Sequence, residues 1–175
     1  MIRTALVLSL LFSTAPALGA LAPGATAPDF ATTGALAGKS FDFTLKEALK
    51  KGPVVLYFYP KAFTSGCTIE AHEFAEATPE FNKLGATVIG MSGDDIDTLK
   101  RFSTEACRDK FAVATATPDV IKRYDVTLPV MSGRSNRTSY VIAPNGKIVF
   151  AYTAMSPEGH VSGTLDAVKK WKAKK

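Results

Sequence analysis

The chain has 175 residues, 46% hydrophobic and 21% charged, with 13 Gly and 10 Pro, the make-up of one globular domain. Two cysteines are too few for a disulfide-stapled scaffold or a four-cysteine zinc site, and the aliphatic content excludes an extended disordered protein. The formal charge of +5 arises from 21 basic and 16 acidic residues, with part of the excess in Lys169-Lys170-Trp171-Lys172-Ala173-Lys174-Lys175. No continuous basic face outside that tail points to nucleic acid.

Residues 1–20 read as a secretory signal. Arg3 supplies the positive start, Ala5 to Phe12 an apolar stretch, and Ala17-Leu18-Gly19-Ala20 a small-residue cleavage region. The apolar run falls short of the ~20 residues a bilayer-spanning helix needs. An uncleaved anchor and a buried first helix are the alternatives. Cleavage after Gly19 or Ala20 predicts an exported protein of residues 21–175 with no stable membrane association, periplasmic if the source is Gram-negative. In such a compartment a cysteine pair can oxidise, so a structural disulfide has to be weighed against any catalytic role.

Leu21 to Phe30 reads as an extended lead-in. Phe41-Asp42-Phe43 alternates, and Thr44 to Lys51 has a helical pattern ended by Gly52-Pro53. Val54-Val55-Leu56-Tyr57-Phe58-Tyr59 is continuously β-branched and aromatic, the mark of a strand buried on both faces. Cys67 to Leu84 is predicted helical, with Ile69, Phe74 and Phe81 on its buried side. A second buried strand is predicted at Thr87 to Met91, then a helix opened by Asp94-Asp95 and running to about Arg108. A short helix follows Pro118. Ser139 to Ile142 and Lys147 to Phe150 flank Pro144-Asn145-Gly146 as a hairpin, and Val161, Leu165, Val168 and Trp171 mark a last amphipathic helix. Parallel crossovers followed by an antiparallel pair predict a mixed α/β sheet with helices on both faces, the thioredoxin-like arrangement.

The loop Pro60 to Cys67 leaves the central strand and enters a long helix, where such sheets carry their chemistry. Unpaired amides and the helix dipole favour a thiolate at Cys67, and Thr64 or Ser65 can cap the helix. The same position also suits a small core residue.

Pro60, Thr64 and Cys67 match the P-x-x-x-T-x-x-C motif, and the string from Tyr57-Phe58-Tyr59-Pro60 through Cys67-Thr68-Ile69-Glu70-Ala71 resembles peroxiredoxins of the bacterioferritin-comigratory-protein, or peroxiredoxin Q, branch. The similarity runs from about Ala27 to the final helix and includes Val88 to Ser92 and Arg137 to Ile142. It implies peroxide reduction: Cys67 as peroxidatic cysteine passing through a sulfenic acid, Thr64 positioning the peroxide, Arg137 holding the thiolate and the developing charge, and Pro60 shielding the sulfur. Glu70 either orients the arginine or is a solvated helix carboxylate. No metal, flavin or haem cofactor is implied. Hydrogen peroxide and small organic hydroperoxides are the expected substrates, and a thioredoxin-like protein or low-molecular-weight thiol the reductant. A monomer is expected.

Three positions depart from the branch. His72 stands where many members carry a second cysteine, Ser65 where Pro is common, and Ala143 where Asp is common. Cys107, near the end of the next predicted helix, is the candidate resolving cysteine; the other reading makes it a buried hydrophobe in a one-cysteine enzyme. Five residues past Cys67, His72 is turned about 140° around the helix and reads as a surface histidine, as does His160 in the loop before the last helix. Ser92 to Asp97 reads as helix capping rather than a cation site, and Asn136-Arg137-Thr138 is formally a glycosylation sequon. Two rival functions remain: a thiol–disulfide oxidoreductase, disfavoured because Thr64 stands where C-x-x-C needs a cysteine, and an exported non-catalytic domain with a structural Cys67–Cys107 bridge.

Overall fold

Along the described residues, 19–174 in a computed structural model, the strands are β1 (Ala31–Leu36), β2 (Lys39–Thr44), β3 (Val54–Phe58), β4 (Thr87–Ser92), β5 (Ala112–Thr115), β6 (Thr138–Ile142) and β7 (Ile148–Thr153). The helices are α1 (Leu45–Lys51), α2 (Ser65–Lys83), α3 (Ile96–Glu105), α4 (Pro118–Arg123) and α5 (His160–Lys172). Residues 1–18, which hold nearly all of the segment read as an export signal, lie outside the described residues.

The strands form one mixed sheet in the order β2-β1-β5-β4-β3-β6-β7. β3 pairs in parallel with β4, and β4 with β5, while β6 runs antiparallel to β3. β3 is buried at all five positions, as its continuous hydrophobicity predicts. Its side chains alternate between two cores. Val54, Leu56 and Phe58 pack with Tyr124, Tyr140 and Ile142 on one face. Val55 and Tyr57, continued by Tyr59, pack with Phe74, Phe81, Phe102 and both cysteines on the other. Tyr57 stacks on Phe74 with centroids 4.3 Å apart, and Tyr59 on Phe102 at 5.5 Å. Burying each such ring contributes roughly 1.5–3 kcal/mol.

α2 buries Cys67, Ala71, Phe74, Ala75, Thr78 and Phe81, a stripe at helical spacing. Ile69 is 50% exposed, contrary to the expectation that it faces the core, because it lies two residues, or about 200°, from Cys67. β1 and β5 have no counterpart in the sequence reading. Both are short and mostly Ala and Thr, with little hydrophobic contrast, and pairing with neighbours makes them strands. α3 also stops at Glu105, short of the expected Arg108.

Candidate active site

Three chain segments meet at the end of the sheet where β3 and β4 finish. β3 exits into the loop that enters α2. β6 starts at the same end because it is antiparallel to β3, with Thr138 opposite Phe58, and this sets Arg137 beside the loop. β7 also ends there, with Thr153 opposite Thr138, and delivers Met155 and α5.

Cys67 is the third residue of α2 and 2% exposed. Thr64 is the N-cap residue, but its side chain makes no capping bond; its hydroxyl donates instead to the Lys61 carbonyl at 2.9 Å. The oxygen therefore keeps lone pairs for another donor. The first-turn amides of α2 have no intrahelical partner, which favours negative charge at that end.

Arg137 is buried to 4% exposure and aimed at this point. Its Nη2–H donates to Cys67 Sγ at 3.4 Å, its Nε–H to the Met155 carbonyl at 3.0 Å, and its Nη1–H to Glu70 Oε2. A Cβ on Gly66 would lie 3.2 Å from Nη2, so the helix approaches the guanidinium as closely as a glycine permits. Glu70 is fully buried, and burial pushes its carboxyl up to about 8 against the pull of Arg137. Of the two readings of Glu70, the structure has the one in contact with the arginine.

The entry loop is held by Asp94. Its Oδ2 accepts from the Ala62 amide and the Ser92 hydroxyl, both at 2.7 Å, and its Oδ1 pairs with Arg134 Nη1 at 2.5 Å. The same Arg134 nitrogen reaches the Pro60 carbonyl at 3.5 Å. Pro60 is half-buried, and Phe63 takes a left-handed backbone (φ 63°) with its exposed ring under Arg101, 5.0 Å from the centroid. Asp95 alone caps α3, accepting from the Thr98 amide at 2.8 Å, so the reading of Asp94 as a helix opener is corrected. Two adjacent acids with room for one cap at the carboxyl end of a buried strand were the signal.

His160 is likewise corrected: it is the first residue of α5 and wholly buried, not a surface residue in a loop. Its Nε2 lies 3.0 Å from the Ala154 carbonyl, which can only accept, so Nε2 carries the proton. Nδ1 then accepts from the Ser139 hydroxyl at 2.8 Å and stands 3.7 Å from Glu70 Oε1. Burial lowers this imidazole to about 4. His72 is half-buried on α2.

Cys107 lies past the end of α3, not within it, and is fully buried. Burial, helped by the negative charge of Asp109, pushes its thiol strongly up. Arg108 and Asp109, which follow it, both have left-handed backbones (φ 52° and 58°). Cys67 and Cys107 are both free. Among the described residues no three His, Cys, Asp or Glu side chains group as a metal site.

Residues 23–151 match the AhpC/TSA family. Peroxiredoxin Q of the rice chloroplast (Oryza sativa subsp. japonica) is 32% identical over 148 residues, which are 84% of this chain and 66% of the rice protein. The crystal structure of the peroxidoxin BcpB of Mycobacterium tuberculosis superposes with a TM-score of 0.76 at 28% identity, covering 85% of this chain and 96% of that one. The bacterioferritin comigratory protein of Xanthomonas campestris, solved in complexes bearing on its alkyl peroxide reduction, gives 0.70 at 28% identity over 80% of this chain and 91% of that one.

Proposed function

The chain belongs to the AhpC/TSA family, alongside the peroxiredoxin Q and Bcp proteins, and on that premise we propose that it is a thiol-dependent peroxidase with Cys67 as its peroxidatic residue. The observation that carries this reading is the Arg137 Nη2 contact to a sulfur seated in the first turn of a helix. A guanidinium and a helix N-terminus together stabilise a thiolate, and the same guanidinium faces the oxygen that leaves with the O–O electrons. The thiolate attacks one peroxide oxygen, an S–O bond forms as the O–O bond breaks, and the departing alkoxide or hydroxide takes a proton. Thr64 accepts from the peroxide O–H, and Pro60 closes the side of the loop. Exposed Phe63 in the entry loop and exposed Met155, whose carbonyl Arg137 holds, flank the site, a rim that favours organic hydroperoxides beside hydrogen peroxide.

Cys107 resolves the sulfenic acid in this reading, giving a Cys67–Cys107 disulfide and water, after which a thioredoxin-like protein or a small thiol reduces the bond. Its place beyond the helix end, in a turn of two left-handed residues, lets it emerge by local opening rather than unfolding of the sheet. Export through residues 1–20 is proposed alongside, and N-terminal sequencing of cell-derived protein tests it.

The decisive experiment exposes reduced protein to one equivalent of hydrogen peroxide and maps the product by mass. Sulfenic acid at Cys67, trapped by dimedone, followed by a loss of about 2 Da with both thiols consumed, is expected. No change at Cys67 would overturn the assignment. A gain of about 16 Da with Cys107 still free would replace the two-cysteine cycle with an external thiol.

A further inference from the structure

Behind Arg137, away from the sulfur, lies a second arrangement that peroxide attack at Cys67 does not by itself use. Glu70 and His160 are both 0% exposed. Glu70 Oε2 accepts from Arg137, but Oε1 has no hydrogen-bond partner. His160 Nδ1 lies 3.7 Å from Oε1 and is no donor to it, its lone pair being taken by Ser139. A buried carboxylate oxygen that no donor reaches costs free energy, and the cost falls when that oxygen carries a proton. The imidazole already carries its proton on Nε2, and a second would make a buried cation beside Arg137. The vacancy for a proton is therefore Glu70 Oε1.

The arginine makes that proton matter to the sulfur. One guanidinium touches Cys67 Sγ through Nη2 and Glu70 through Nη1, so two groups compete for a single positive charge. When both are ionised the buried cluster carries a net negative charge; when one is neutral it balances.

We propose that Glu70 is the proton store of the peroxidatic centre, holding one proton on Oε1 while Cys67 is a thiolate and giving it up as Cys67 becomes a sulfenic acid, so that Arg137 always faces one negative charge. The inference rests on the peroxidase reading above. The balance is Cys67–S⁻ + ROOH + Glu70–COOH → Cys67–SOH + ROH + Glu70–COO⁻. Sulfur loses two electrons to the O–O bond, an S–O bond forms, and the proton given up by the carboxyl balances the one that the leaving alkoxide gains. Arg137 stands between the carboxyl and the sulfur and does not deprotonate, so the two protons exchange through solvent. Reduction of Cys67 to thiolate returns the proton. Coupling is reciprocal: loss of the sulfur's charge frees the guanidinium for Glu70 and so lowers the carboxyl's proton affinity.

The groups facing Glu70 agree with this. From its own helix come Cys67 and Glu73, from β3 and its exit the neutral phenols Tyr57 and Tyr59, ahead of β6 Arg137, and from α5 the neutral His160. Arg137 is the one cation among them. Burial holds the carboxyl protonated up to about pH 8 in the reduced protein, so compensation operates below that pH and is lost as pH rises through it.

Proton stoichiometry tests the proposal. Reduced protein in dilute buffer is mixed with hydrogen peroxide in the presence of a pH indicator, and proton uptake per oxidised Cys67 is read by stopped flow. Disulfide formation from the sulfenic acid is proton-neutral and does not disturb the count. At pH 7 the natural protein is expected to take up well under one proton and Glu70→Gln about one, the two converging above pH 8. Equal uptake at pH 7 overturns the store. Should the variant not fold, the peroxide-induced infrared difference spectrum of the natural protein decides instead: a buried protonated-carboxyl band is expected to disappear on oxidation, and no such loss overturns the proposal. Dimedone trapping in the same samples separates the two levels, because absence of sulfenic acid at Cys67 counts against the peroxidase reading, not against the store.

Discussion

Cys67 and Cys107 lie in the same hydrophobic cluster at 2% and 0% exposure, yet their surroundings differ in sign. Cys67 has a guanidinium on its sulfur and a helix N-terminus beneath it; Cys107 has aromatic rings nearby and Asp109 as its charged neighbour. Burial alone makes a thiol inert, since a charged sulfur without water needs a partner. The difference separates a sulfur built to react where it sits from one that must first move. It also divides mechanical roles: Cys67 is held in the first turn of the long helix α2, whereas Cys107 hangs from a turn whose backbone favours release.

The largest test of that contrast is removal of each sulfur. Cys67→Ser is expected to abolish peroxide consumption, while Cys107→Ser keeps the first oxidation and loses only the intramolecular disulfide; the reverse pattern would exchange the two roles. Next is the cation. Arg137→Ala is expected to slow Cys67 oxidation by about 10²–10³-fold in stopped flow while circular dichroism stays native. The fold survives because Glu70 keeps a proton in place of the lost pairing. Unchanged oxidation rates would remove Arg137 from the chemistry.

Gly66→Ala gives a smaller effect with opposing signs. A methyl 3.2 Å from Nη2 displaces the guanidinium and is expected to slow oxidation about tenfold, whereas alanine in a helix raises stability by up to about 1 kcal/mol. A melting temperature that rises as the rate falls is the signature, and a rate that holds would mean the arginine has slack. The smallest effect is expected from Arg108→Ala. The Arg108–Glu76 ion pair, 3.3 Å long and largely exposed, ties the Cys107 turn to α2 and contributes at most about 1 kcal/mol. Its loss is expected to speed alkylation of Cys107 several-fold at neutral pH. In the natural protein that reaction waits for opening, because burial keeps the closed thiol protonated; an unchanged rate would place the opening motion elsewhere.

The long hydrophobic runs were legible from sequence because continuous burial in β3, β4 and β6 leaves no alternation to misread. The motif residues were legible as a spacing, since a strand exit and a helix entry tie Pro60, Thr64 and Cys67 to one loop. Arg137 was reachable only through resemblance; seventy residues from Cys67, it is brought close by the antiparallel pairing of β6 with β3. Asp94 and His160 were misread for a common reason. Each sits where a residue of its type has an ordinary local use, a cap or a surface imidazole, and the partners that bury it come from distant segments. Local pattern cannot report a long-range contact of a single polar side chain.

The segment between Val126 and Ser135 folds on itself, with backbone bonds from Leu128 to Arg134 and from Met131 to Leu128, and its tip at Val130 is 84% exposed. Its root is fixed by contrast: Arg134 grips Asp94, and a Cβ on Gly93 would lie 2.3 Å from the Gly133 carbonyl. Strain applied at the tip is therefore absorbed before it reaches the entry loop. For engineering, residues 130–132 are the place to insert a fluorophore, an affinity handle or new chain termini, provided the graft leaves Gly133 and Arg134 untouched.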